Sequence, residues 1–320
     1  MSIKEEILQY SRQEKIGALS SWFDAQLEQL IDQGVYADRN TLEETARSLV
    51  NNLKAYKKKY NIATAVIGMS GGVDSALTAA FFKQAGWRVV GVVMPIHQKQ
   101  EETDRGIEAC QALGLEYMHV DLTAQYENLL ASVRNYDPTI DDPKNSIRRG
   151  NLRVRSRMIT LYNIASMERG LVGSTDNFSE LAAGFWTLHG DVGDLAPIQS
   201  LSKSWEVPRL AELYGVPAST VFATPTDGLG ISNGDEDQFG FSYLEFDIVL
   251  LKLCQLTALE SRAQVLEALE VPNGDVDRVN RILDRIKGST FKRANPYNLE
   301  HPQDPVRYPG LKNIDSVLWS

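Results

Sequence analysis

Ser70, Gly71, Gly72, Asp74 and Ser75 sit where the apolar run ATAVIGM meets the helix-like stretch SALTAAFFKQAG. Two adjacent glycines permit backbone angles that other residues avoid, and they let a bulky group approach the chain. A tight turn from a strand into a helix aims several backbone N–H groups and the positive end of the helix dipole at one point, which makes an anion site. The two hydroxyls add donors. Asp74 repels a phosphate unless a cation bridges the two, so its presence points to Mg2+. The Gly-Lys-Ser/Thr ending of a Walker A loop is missing, and so is Gly-x-Gly-x-x-Gly spacing. Residues 68–72 also satisfy Gly-x-Ser-x-Gly, the nucleophile elbow of serine hydrolases. That alternative requires a later carboxylate and histidine. His189 and His301 are available, but neither has a triad context, and Asp74-Ser75 would have no task.

The anion reading requires a strand, a turn and a helix, and the surrounding sequence supplies them. Residues 63–69 form a continuous β-prone run, as in a strand buried on both faces. Residues 75–86 read as a helix closing at Gly86, 88–94 as a strand, 101–113 as a helix closing at Gly114 and 115–122 as a strand. A helix over 151–170 and a strand over 171–175 follow. This alternation predicts an α/β fold, a doubly wound parallel sheet with flanking helices. Ligands in such sheets lie at the carboxyl ends of the strands, where the glycine turn sits.

Upstream, residues 4–33 and 41–60 read as two amphipathic helices. In the second, Leu42, Ala46, Leu49, Val50, Leu53 and Tyr56 recur at helical spacing behind an Asn40-Thr41 cap. Such a stripe faces a core or a dimer partner. Residues 135–150 and 223–240 are long, polar and rich in turn formers, which marks functional loops. Helical stretches at 243–270 and 275–287 close the pattern. The expected organisation is an N-terminal helical segment over 1–60, an α/β domain over 61–290 and a tail over 291–320.

Composition narrows the function classes. At 320 residues, 43% hydrophobic and 23% charged, the chain reads as an ordinary globular protein. It holds no apolar run of about 18 residues that would suggest a membrane span. The charged N-terminus lacks a secretory core, so a cytoplasmic location is expected. Cys110 and Cys254 are the only cysteines; neither a disulfide framework nor zinc spacing is present, and burial is expected for both. A net charge of −9 argues against nucleic acid as the main partner. Of two local basic clusters, 55–60 reads as a solvated helix face.

Ser-Gly-Gly-x-Asp-Ser resembles the signature of the PP-loop ATP pyrophosphatases, which implies cleavage of ATP between its α and β phosphates. Four further segments, RRGNLRVRSRMITLYNIA (148–165), LVGSTDNFSELAAGFWTLHGDVGDLAPI (171–198), LSKSWEVPRLAELYGVP (201–217) and TPTDGLGISNGDEDQFGFSYLEFD (224–247), follow in order. Together they resemble the NAD synthetase family over residues 40–295. The resemblance implies that ATP adenylates the carboxylate of nicotinic acid adenine dinucleotide and that ammonia then displaces AMP to give the amide. Ser70, Gly71, Gly72, Asp74, Ser75, Thr175, Lys203 and Thr226 are thereby expected on ATP. Mg2+ is expected on Asp74 and Glu180, and the substrate on Asn151, Arg155, Arg157 and Asp191. Asp74, Lys203 and Asp191 are the catalytic expectations, with Lys203 near phosphate or developing charge and Thr226 on a loop closing over the phosphates.

The resemblance also implies a homodimer. A tRNA-modifying PP-loop thiolase is disfavoured by the acidity and the lack of paired cysteines. About 60 residues precede the loop, without a cysteine, so free ammonia is the expected nitrogen source, or ammonia from a separate glutaminase partner. The sequence departs from the family pattern at Val93, at Phe178, in the shortened Gly190–Asp194 segment and at Phe291-Lys292-Arg293. These departures lie toward the acceptor, and they raise nicotinic acid mononucleotide as an alternative substrate.

Overall fold

Alternate residues of the central strands face opposite layers. A computed structural model describes residues 1–11, 17–226, 234–256 and 261–293. Its strands are β1 (Thr64–Gly68), β2 (Arg88–Val93), β3 (Glu116–His119) and β4 (Leu171–Val172). They form one parallel sheet in the order β3-β2-β1-β4, with Val66 opposite Val90 on one side and Val172 on the other. Ala65, Ile67, Val89 and Val93 join one apolar cluster, whereas Val66, Val90, Val92 and Val172 join a second on the other face. A strand covered on both sides has no polar face to alternate with, hence the unbroken apolar runs.

The helices before the sheet are α1 (Ile3–Tyr10), α2 (Ser21–Asp32) and α3 (Arg39–Tyr60). Between and after the strands come α4 (Val73–Gln84), α5 (Gln100–Ala112), α6 (Thr123–Arg134), α7 (Ser146–Met167) and α8 (Phe178–Ala183). The chain continues through α9 (Glu206–Leu213), α10 (Ala218–Val221), α11 (Asp235–Phe239), α12 (Tyr243–Gln255), α13 (Arg262–Ala268) and α14 (Val276–Gly288). Met158, Leu161 and Ile164 of α7 and Tyr126 and Leu130 of α6 cover one face of the sheet. The helices α3, α4, α9 and α12 contribute to the other. The chain moves outward from β1 to β3 and returns to place β4 on the far side of β1. The crevice at this reversal, beyond the carboxyl ends of β1 and β4, is where the topology places a ligand.

Several boundaries differ from expectation for local reasons. Among the described residues the helix read over 4–33 is interrupted between α1 and α2: Ser20 caps α2 by accepting from the Phe23 amide, and Gly17 adopts φ +107°. Asp38, rather than Asn40-Thr41, caps α3 through the Thr41 amide at 2.8 Å. The 41–60 stripe packs inside the chain, since Leu42, Ala46, Val50 and Leu53 are buried in the first cluster, so it is not available to a dimer partner. The helix expected from residue 151 begins at Ser146. The stretch 243–270 breaks at Leu256, which is extended, and restarts behind a capping box between Ser261 and Gln264. β3 and β4 are shorter than read; beyond Val172 only an isolated bridge joins Gly173 to Leu195. Cys110 is buried as expected, but Cys254 is exposed, because it lies in the last turn of α12, beyond the part of the helix that is buried. The tail beyond residue 293 and His301 lie outside the described residues.

Candidate active site

The turn after β1 is held by its glycines. Gly71 adopts φ +85°, and a Cβ there would lie 2.2 Å from the Glu102 carbonyl oxygen. Gly106, one turn further along α5, also meets backbone, since an added Cβ would lie 2.7 Å from the Met69 carbonyl oxygen. The turn is therefore clamped onto the first turns of α5 by two positions that tolerate no side chain. Gly72 starts α4 without a side-chain cap, which leaves the helix-start amides for a ligand. Ser70 Oγ lies 3.3 Å from Ser75 Oγ and accepts from the Gly72 amide at 3.3 Å. Ser75 Oγ donates to the Gly72 carbonyl at 2.9 Å. Among the described residues no imidazole reaches Ser70, so the hydrolase arrangement is not assembled there.

Across the crevice, α8 and the segment carrying Lys203 face Asp74. Asn177 caps α8, its Oδ1 accepting from the Glu180 amide at 2.9 Å, while its Nδ2 donates to Asp74 Oδ1, also at 2.9 Å. One side chain thus starts a helix and orients the loop carboxylate. Lys203 Nζ donates to Asp74 Oδ2 and reaches Glu180 Oε1 at 3.5 Å. Burial alone would depress the Lys203 ammonium, but Asp74 and Glu180 reverse this and hold its pKa above the ordinary lysine value. Burial, then the Asp74 charge, push Glu180 well above the usual carboxylate range, with Lys203 opposing. Two carboxylates thus converge on one cation in a water-poor pocket.

Lys203 is fixed from behind. Its amide donates to Ser179 Oγ at 2.9 Å, and Ser179 Oγ donates to Asp247 of α12. Asp247 also accepts from the Ser204 amide at 2.9 Å, and burial raises its pKa to about 6. The N-terminal segment reaches the same turn: Trp205 Nε1 donates to the Ala37 carbonyl at 2.9 Å, and Tyr36 Oη lies 3.2 Å from Ser204 Oγ.

The other end of the cavity is built by α7 and the 184–191 turn. Thr187 Oγ1 donates to Asn151 Oδ1 at 2.8 Å, and the Thr187 amide donates to Asp191 Oδ2 at 2.6 Å. Burial raises Asp191 to about 6, with the Thr187 amide and Arg157 opposing. Arg157 donates to the Met94 carbonyl and to Gln98 Oε1, both at 3.0 Å, and its burial lowers its pKa. Arg155 is exposed and donates to the Leu188 carbonyl at 3.2 Å. Others of the basic cluster are engaged internally, Arg148 with Asp137 and Arg149 with the Asp142 carbonyl. Thr226 Oγ1 donates to Glu102 Oε1 at 3.2 Å, tying the start of the expected lid to α5; residues 227–233 of that lid lie outside the described residues.

The residues expected on ATP, metal and substrate all line one cavity of about 550 Å³, with Ser70, Gly71, Gly72, Asp74, Ser75, Thr175, Glu180, Lys203 and Thr226 at one end and Asn151, Arg155, Arg157 and Asp191 at the other. The sequence reading missed Arg105, Asn177, Trp186 and Asp247. Asn177 was legible, because Asn-x-x-Glu before an apolar run is a capping signal. Asp247 carried no local signal.

The NAD synthase family profile matches residues 45–296. The chain belongs to the NAD synthase family. The family read from the ordered motifs and the α/β parallel sheet both stand. The NH3-dependent NAD+ synthetase of Alkaliphilus metalliredigens is 35% identical over 72% of this chain and 87% of its own. Among solved structures, an NMN synthetase from Francisella tularensis aligns with a TM-score of 0.67 and 27% identity, covering 82% of this chain and 98% of that one. An NH3-dependent NAD synthetase from Campylobacter jejuni aligns with a TM-score of 0.62 and 25% identity, over 81% and 99%.

Proposed function

We propose that this member of the family amidates the carboxylate of nicotinic acid adenine dinucleotide with free ammonia, consuming ATP and releasing AMP and pyrophosphate. One observation carries the reading: an anion-binding turn and an acceptor end share one cavity, with Lys203, Asp74 and Glu180 beside the turn. The turn amides, Ser70 and Ser75 take the triphosphate of ATP, with Thr175 and Thr226 beside them. Asn151, Arg155 and Arg157 hold the nucleotide, and Asp191 orients its pyridine end through the 184–191 turn. Lys203 offsets charge as the acceptor carboxylate reaches the α-phosphate, since two anions must meet. Residues 224–240 exclude water from the reactive acyl-adenylate.

The donor set suits Mg2+. Asp74 and Glu180 bring hard oxygen donors to the one point that the Lys203 ammonium now marks, and Mg2+ is commonly held by one or two carboxylates plus phosphates. Among the described residues no three His, Cys, Asp or Glu side chains gather to cage a metal, and substrate phosphate would complete the pair. When bound, the ion offsets phosphate charge and polarises the bond to be broken. A homodimer is supported by the outer face of α7, where Ile159 is 72% exposed and Arg155, which lines the cavity, lies one turn away. Ammonia as donor is supported by the likeness to the NH3-dependent relative, of which the match covers 87%. No helix of the described residues is long and apolar enough to cross a membrane.

The likeness to the NMN synthetase favours a second reading, the same chemistry on nicotinic acid mononucleotide. A paired assay with ATP, Mg2+ and ammonium, one acceptor per reaction, decides between them through AMP and amide counted together. Amide mainly from the dinucleotide is expected. Amide mainly from the mononucleotide supports the second reading, and no AMP with either acceptor overturns both.

A further inference from the structure

The strand order places different cations on the two flanks of the phosphate turn. Toward β4 stands Lys203, already engaged by Asp74 and Glu180. Toward β2 stands Arg105, on the second turn of α5, half-buried and lining the cavity. Its Nε donates to the Gly71 carbonyl at 3.3 Å, and no carboxylate in the described residues pairs with it. Arg155 is bonded in the same way, through Nε to the Leu188 carbonyl, but it lies at the acceptor end of the cavity, away from the turn. The other cations of the cavity differ. Arg157 is engaged by Met94 and Gln98, and Lys292 donates to the carbonyls of Gly184 and Trp186. Arg285 donates to the Ala183 carbonyl and lies over Phe239. Arg105 is thus a guanidinium held on the phosphate turn itself, and among the described residues its two terminal nitrogens make no hydrogen bond.

Backbone packing fixes where its stem starts, and the Nε bond to Gly71 holds its head group against the turn. The Gly71 and Gly106 contacts lock α5 to the turn, so the arginine and the turn amides keep a fixed relation. Thr226 docks on Glu102, one helical turn before Arg105, so a second residue expected on ATP stands beside this side chain. A planar guanidinium with paired N–H groups matches two phosphate oxygens at once.

We propose that Arg105 binds the β and γ phosphates of ATP and holds them as pyrophosphate after the α–β bond breaks. The inference rests on the ATP chemistry proposed above. Arg105 supplies no proton and makes no bond; it offsets the charge that accumulates on the leaving group.

The test compares wild type with Arg105→Gln and Arg105→Lys. In the amidation assay, Arg105→Gln should raise KM for ATP and weaken inhibition by added pyrophosphate, each by roughly 10- to 100-fold, as for loss of charge-assisted hydrogen bonds. Inhibition by AMP, which lacks the β and γ phosphates, should stay within about twofold, and Arg105→Lys should lie between the two. Equal weakening of AMP and pyrophosphate inhibition, or none of either, overturns the proposal. Calorimetric titration of pyrophosphate with Mg2+ into each folded protein separates the two layers of inference. If wild type forms no AMP, the proposed function fails; Arg105 is then judged by pyrophosphate affinity alone, and equal affinity in wild type and Arg105→Gln rejects it.

Discussion

Replacing Gly71 by alanine should cripple the site, whereas the same change at its neighbour Gly72 should be tolerated by the fold. At Gly71 the new Cβ would lie 2.2 Å from the Glu102 carbonyl oxygen, where real Cβ atoms do not approach within 3.0 Å, and it would also crowd the Gly106 amide. Both neighbours are backbone and cannot rotate away. The residue must also hold φ +85°, at a cost of about 1–2 kcal/mol for a side chain. Backing the turn away from α5 adds about 1–3 kcal/mol, by analogy with overpacked cores. The sum, about 2–5 kcal/mol, corresponds in a chain of 320 residues to a melting temperature lower by about 3–7 °C. A turn displaced by roughly 1 Å should also lose on the order of 100-fold in kcat/KM for ATP.

Gly72 has φ −94°, and the nearest atom to an added Cβ is Ser70 Oγ at 3.4 Å. Gly72→Ala should therefore stay within about 1 kcal/mol of wild type, the cost of a poorer helix cap. Thermal melts and ATP-saturation kinetics of the two variants decide the matter. A Gly71→Ala protein matching wild type in both, or a Gly72→Ala protein melting lower than Gly71→Ala, would refute the clamp between the turn and α5.

Two further outcomes follow from the site. Burial holds Asp191 at about 6, above its unfolded value, so the folded protein takes up a proton that the unfolded chain does not. The stability this confers is fully present below about pH 4 and is lost as pH rises through 6. Asp191→Asn should flatten the stability curve between pH 4 and 6, read as urea midpoints; curves that run parallel would reject the assignment. Asn177→Ala removes the cap of α8 and should cost about 1–2 kcal/mol. Asn177→Asp keeps the cap but sets a buried carboxylate against Asp74, so KM for ATP should rise several-fold; an unchanged KM would show that Asn177 does not orient Asp74.

Much of this was legible because the local chemistry is short-range. Strand, glycine turn and helix follow one another within residues 63–86, and their periodicities and turn residues are properties of adjacent positions. The opening break near Gly17-Ser20 and the Asp38 cap were equally local, and were misplaced because apolar spacing continues across a cap. Asp247 was hidden for a different reason: it reaches Ser204 across 43 positions, and no spacing rule spans such a separation.

The sequence by itself determined the alternation of strand and helix, the anion-binding turn and the family, since each is written in contiguous residues. Tertiary structure alone decided which glycine of the pair is indispensable, that the 41–60 stripe faces inward, and that Lys203 meets both Asp74 and Glu180. It also decided that Arg105 flanks the turn opposite Lys203. The reason is the strand order β3-β2-β1-β4: it brings α5 and the Lys203 segment, distant in sequence, to opposite sides of one loop, where distance and burial set the chemistry.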